Sequence, residues 1–315
     1  MEAIFTTVLP VFGMIMLGYG FTKTRLFDAA AGKGISLFVF NVAIPALLFK
    51  TIATMESQSS QPWALWTVFF GGLSITWIVT AIVARNFEGL SVSGGAAASM
   101  AAGFGNLALL GTPLALAHFG QSAAIPLGMI LSIHAPILWF AAMLHREFAR
   151  HSGAFSLRRT GRELFVNLAT NAIVLSLLGG ILWRSAGFGI HPIVLRMLQM
   201  LADASVPTAL FALGVSLAGY SLRGAWTGMF VLIGLKMVLM PVLVFLGLRY
   251  LVSLPPLWTK IALLFAAMPT GANAFLFAHR NNEAVPAVSG AIALGTGLAA
   301  ISASVLLYLM DVGLI

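Results

Sequence analysis

Residues 266–282 read AAMPTGANAFLFAHRNN, an apolar helical pattern that stops at Pro269, Thr270, Gly271 and Asn273 and resumes as AFLFA. A proline removes a backbone donor and clashes with the preceding turn, and a nearby glycine lowers the cost of irregular backbone. The stretch therefore predicts a broken helix rather than a bent one. Inside a bilayer, lipid cannot satisfy the freed peptide groups, so the break must face protein or water. Working outward, residues 103–118, GFGNLALLGTPLALAH, repeat the pattern with Gly103, Gly105, Asn106, Gly111, Thr112 and Pro113. Two interrupted apolar spans at corresponding places in two halves are the sequence pattern of a secondary transporter's binding site.

Composition supports a membrane setting. Of 315 residues, 60% are hydrophobic and 8% charged, and the mean hydropathy of +0.99 is far above that of a soluble domain of this length. There is no cysteine, which excludes disulfides, thiolate metal sites and cysteine nucleophiles. The net charge of +8 does not point to nucleic acid, because the basic residues sit between apolar runs, where topology accounts for them.

At roughly 20 apolar residues per spanning helix, ten spans are expected: 3–22, 34–54, 63–84, 92–118, 123–145, 164–184, 193–219, 226–250, 258–279 and 285–309. The N-terminus lacks a basic n-region, so the first span reads as uncleaved. Lys23, Arg25, Lys33, Arg85, Arg146, Arg150, Arg158, Arg159, Arg162, Arg223 and Arg280 fall on one side. Lys50, Arg184, Arg196, Arg249 and Lys260 fall on the other, and Lys236 lies within a span. The excess of positive charge marks the cytoplasmic face, which puts both termini outside.

The basic segment 148–162 then divides the chain into two halves, 1–147 and 163–315. Five spans per half give the halves opposite orientations, the arrangement of an inverted repeat. Two internal matches support it. Asn41-Val-Ala-Ile-Pro45-Ala-Leu-Leu-Phe49 in span two parallels Asp203-Ala-Ser-Val-Pro207-Thr-Ala-Leu-Phe211 in span seven, and LAHFGQSAAIP, ending at Pro126, parallels FAHRNNEAVP, ending at Pro286. Asn41, Pro45, Pro207 and Pro269 are the expected helix breaks. The fold class read from these patterns is all-α integral membrane, with ten transmembrane helices as two inverted five-helix repeats.

Among the nine acidic residues, Asp203 alone is placed inside a span, and Lys236 is its basic counterpart. A charge at the bilayer centre costs about 2.5–3.5 kcal/mol on insertion scales, so such residues read first as functional. A structural Asp203–Lys236 pair tying spans seven and eight together is the competing reading. At the breaks, resumed half-helices present N–H groups and a positive dipole end that suit a carboxylate. Asn106, Thr112, Thr270 and Asn273 add neutral hydrogen bonds there, and Gly271 permits close backbone approach. Helix-packing hydrogen bonds account equally well for any one of these residues. The histidines show no metal-ligand spacing, and packing is favoured over proton relay for His134. No nucleophile elbow, phosphate loop or dinucleotide fingerprint is present.

Taken together, AAMPTGANAFLFAHRNN, GNLALLGTPL, FNVAIPALLF, LADASVPTALFALG and Lys236-x-x-x-x-Pro241 resemble the auxin efflux carrier family, more closely its bacterial malonate or dicarboxylate branch. The resemblance covers essentially the whole chain. It implies that spans four and nine are broken and cross, with one group of helices as scaffold and another that moves. The crossover positions it carries over are Asn106 and Pro113 in span four and Asn273 and Ala274 in span nine. The plant carriers have proline where this chain has Ala274, and their Asn-Pro in span six is Asn171-Ala172 here, so neither auxin nor plant-type phosphoregulation is carried over. The expectation is a transporter in a bacterial inner membrane that moves a small organic anion by alternating access. It requires no cofactor, with H⁺ or Na⁺ as candidate coupling ions, and a homodimer is left open. A transporter-fold receptor and an intramembrane lipid-acting enzyme are the alternatives. The first normally wants a signalling domain and the second a nucleophile–base pair or metal cluster.

Overall fold

The computed structural model describes residues 2–54, 62–87, 90, 95–150, 161, 162, 165, 166, 168–222 and 224–314. The greater part of the basic segment 148–162 lies outside them. Every regular element among the described residues is helical: α1 (Glu2–Lys23), α2 (Ala29–Phe38), α3 (Ile44–Thr54), α4 (Pro62–Ala84), α5 (Ala96–Gly103), α6 (Thr112–Phe119), α7 (Ala124–Arg150), α8 (Ala172–Ser185), α9 (Pro192–Leu217), α10 (Trp226–Gly234), α11 (Met240–Tyr250), α12 (Pro256–Ala266), α13 (Ala272–Asn281) and α14 (Val285–Asp311). Six helical runs among the described residues are long and apolar enough to cross a membrane, including Ala30–Thr54 and Trp226–Tyr250, and shorter apolar helices accompany them. With 60% hydrophobic residues, this is a multi-pass membrane protein.

Three π-helical turns, Val39–Ala43, Leu107–Gly111 and Leu235–Leu239, each end two residues before a proline, Pro45, Pro113 and Pro241. The spacing has a steric reason. A proline ring collides with the carbonyl four residues back, here on Asn41, Leu109 and Met237, and the wider π turn relieves that collision without ending the helix. Asn41 and Pro45 therefore mark a widened helix rather than a break, and the Asn41 amide donates to Leu37 O at 3.0 Å. Pro207 does not break its helix either. α9 runs 26 residues through it, because one lost backbone bond is small against packing along the whole helix.

The helices pack into two compact units, neither of which is a sequence half. One contains Met1–Pro62, Ala108–Ile133 and Asn167–Gly219, the other Trp63–Leu107, His134–Val166 and Tyr220–Ile315. In the first unit, a side-chain carbon on Gly18 would stand 2.2 Å from Phe211 O, and one on Gly214 would stand 2.0 Å from Ile15 O. α1 and α9 thus touch backbone to backbone, the close approach that small residues permit in membrane helices. The Asn171 side chain caps α8 by accepting from the N–H groups of Ile173 and Val174. Both phenylalanines of the internal match are packing residues: Phe49 meets Trp183 at 6.2 Å between centroids and Phe211 meets Phe27 at 5.1 Å.

In the second unit the core includes the fully buried Phe69, Phe265 and Phe277, and Trp139 meets Phe277 edge-on at 5.6 Å. Glu283, which the sequence places with the loop acids, is 1% exposed and pairs with Arg146 at 3.0 Å. That bond ties the turn after α13 to α7.

Candidate functional site

The second unit holds the two interruptions. α5 ends at Gly103, and Phe104 takes extended backbone at φ −82°, ψ 98°. α12 ends at Ala266, and the helix resumes as α13 behind an extended Gly271 at φ −94°, ψ 160°. The peptide groups freed by the interruptions are buried and satisfy one another. Asn106 N–H donates to Pro269 O at 2.7 Å, Gly271 N–H donates to Phe104 O at 2.8 Å, and Gly105 faces Thr270 across an antiparallel bridge. The Thr270 hydroxyl adds a buried bond to Ala101 O at 3.0 Å. A side-chain carbon on Gly271 would stand 3.0 Å from both Gly105 O and the Phe104 ring, so the glycine is required by close approach. Asn106 and Thr270 are buried, Asn273 is half-buried and Ala274 is buried. α13 begins without a side-chain cap; Ala274 N–H donates to Gly271 O at 3.0 Å, which leaves the N–H groups of Ala272 and Asn273 to offer to a ligand.

Lys236 lies on the π turn set by Pro241, and its side chain is fully buried. Nζ donates to Ala266 O at 2.7 Å and contacts Met240 Sδ at 3.1 Å. It sits against Gly105, where a side-chain carbon would stand 3.4 Å from Nζ. His134 is 2% exposed, and its ring lies 4.6 Å from that of Phe104. Its Nε2 is buried without a hydrogen-bond partner among the described residues. The sequence reading leaves His134 outside the candidate site. A histidine inside an apolar helix is the available signal, but nothing in the chain shows that Phe104 lies against it.

The first unit holds the remaining candidates. Thr112 and Pro113 line a narrow cleft with Ile44, Ala108, Ser205 and Ala209, and Thr112 Oγ1 is buried without a hydrogen-bond partner among the described residues. Asp203 is exposed on α9. Its carboxylate accepts from the Gln199 amide, and the amide oxygen accepts from Lys50 Nζ. Gln199 was legible only as the residue one helical turn before Asp203, and Lys50 read as a loop cation. Asp203 and Lys236 fall in different units, and each has hydrogen-bond partners inside its own. No group of three or more histidine or acidic side chains among the described residues could hold a metal.

The described elements are all helical, and the extended backbone at Phe104–Asn106 pairs with that at Pro269–Gly271. The chain matches the family model described as membrane transport protein over residues 3–307, and it belongs to that family, which includes the auxin efflux carriers. It is 29% identical to a Rhizobium meliloti (strain 1021) protein named "Putative malonate transporter", over 97% of this chain and 95% of that one. It is 23% identical to auxin efflux carrier component 8 of Arabidopsis thaliana over 97% of each chain. It is 26% identical to an uncharacterized transporter of Methanothermobacter thermautotrophicus over 94% of this chain and 95% of that one. The protein is a membrane transporter and not an enzyme.

Proposed function

We propose that the protein is a secondary transporter of a small organic anion of the malonate type, working by alternating access in a bacterial inner membrane. In this reading ten spans form two inverted repeats with both termini outside, and spans four and nine are broken and cross at the substrate. The observation that carries it is the antiparallel pairing of Phe104–Asn106 with Pro269–Gly271. That pairing holds irregular backbone where a membrane helix would otherwise continue, a cost that is tolerated where the backbone serves a ligand or a cavity. The uncapped start of α13 and the amides of Asn106 and Asn273 offer hydrogen bonds to a carboxylate. The name of the rhizobial relative supports malonate as the first substrate to try. Purified protein in proteoliposomes, given radiolabelled malonate, succinate, malate and lactate with and without Na⁺ and pH gradients, should take up at least one dicarboxylate saturably. Failure to move any of the acids under every gradient overturns the reading.

A further inference from the structure

A buried lysine normally has a carboxylate or a set of polar acceptors around it, because a desolvated charge without compensation costs several kcal/mol. Among the described residues Lys236 has neither. Its ammonium meets one carbonyl, that of Ala266, and one thioether, that of Met240. A lysine offers three donors, and a carbonyl and a weak sulfur acceptor use two of them. The buried acid described in this unit, Glu283, is engaged with Arg146.

The position of this charge is specific. Nζ lies beside Gly105, at the extended segment that pairs with Thr270, and the carbonyl it holds is that of the last residue of α12 before the interruption. On the same segment, His134 rests its ring on Phe104 and, among the described residues, leaves Nε2 buried without a partner. A lysine with a donor to spare and an unpartnered imidazole nitrogen thus converge on residues 104 and 105, in a unit whose α13 begins uncapped.

We propose that Lys236 is the counter-charge of the transported anion: a carboxylate arriving at the interruption supplies the negative partner that the protein leaves out. This rests on the proposed function and goes beyond it by assigning charge selectivity to one residue. The amides of Asn106 and Asn273 bind and orient a carboxylate without distinguishing its charge from that of a neutral amide. An ammonium in a low-dielectric setting does distinguish them.

The competing role is structural, with Lys236 only capping Ala266 O. Three variants of the full-length protein in nanodiscs separate the two, using malonate and its neutral diamide as probes in calorimetric binding and thermal melting as the fold control. Lys236→Arg retains charge and donors, Lys236→Gln retains donors without charge, and Lys236→Met retains neither. Counter-charge action predicts that Lys236→Gln melts near the parent yet loses roughly ten- to a hundredfold in malonate affinity, as for a hydrogen bond to a charged ligand. Lys236→Arg should keep most of the affinity, and the parent should prefer malonate to the diamide by a margin that Lys236→Gln erases. A folded Lys236→Gln protein that binds malonate as the parent does overturns the inference while the anion-transport reading stands. So does equal loss of malonate and diamide. A folded parent that binds none of the organic acids overturns the transport reading, and this inference falls with it.

Discussion

Lys236 and Asp203 look equivalent in the sequence, one charge of each sign in an apolar span, yet their surroundings are opposite. Lys236 is fully buried, and its polar partners are a backbone carbonyl and a thioether. Asp203 is exposed on its helix and ends a side-chain chain that runs through Gln199 to Lys50. The lysine's charge is uncompensated by the described side chains, whereas the aspartate's is already balanced by a cation two hydrogen bonds away. An intramembrane charge announces function, but its partners decide which function. An uncompensated cation suits an anionic ligand, and a balanced acid suits an ion that exchanges with its internal cation.

The largest effect that would break this comparison is at Lys236. Lys236→Met should abolish measurable malonate uptake in proteoliposomes, and retained uptake would remove the lysine from the site. Next come Asn106→Ala and Asn273→Ala, each expected to weaken binding roughly ten- to a hundredfold with the fold intact. Unchanged affinity in both, read by calorimetry, would remove the interruption as the substrate site. Gly271→Ala tests the geometry beneath them. The added carbon meets Gly105 O and Phe104 at 3.0 Å, so stability should fall by about 1–3 kcal/mol, measured as a lower melting temperature that malonate partly restores. Asp203→Asn sharpens the other side. Equilibrium affinity should stay near that of the parent while the transport rate falls or loses its dependence on Na⁺ or pH. Gln199→Leu, which cuts the same chain without removing either charge, should reproduce that phenotype more weakly. Since each charge has its own partners, the effects of Asp203→Asn and Lys236→Met on stability should add within about 0.5 kcal/mol. A strong departure would revive a direct pair.

Much of this was legible in the chain because proline and glycine act locally. Extended backbone falls at Phe104 and at Gly271, beside Gly103, Gly105 and Pro269, since a missing donor and a missing side chain change the backbone wherever they occur. The same local logic was misjudged at Asn41, Pro45 and Pro207. The sequence shows that a proline sits in a helix but not whether a π turn or packing on neighbouring helices absorbs it. Hydropathy likewise established the membrane class, because every span must individually be apolar enough to cross.

What the chain alone determined is therefore where its helices are apolar, where its backbone is interrupted and which charges lie in the apolar spans. Only the tertiary structure decided that Asn106 meets Pro269, that Glu283 is buried against Arg146, that Gln199 joins Lys50 to Asp203, and that Lys236 lies against Gly105. The reason is range. Backbone preference and hydropathy are properties of a few consecutive residues, whereas these contacts join positions 137 or more apart for the Glu283 and Lys50 pairs. They are chosen by the packing of whole helices, which brings together peptide groups and charges that no local pattern relates.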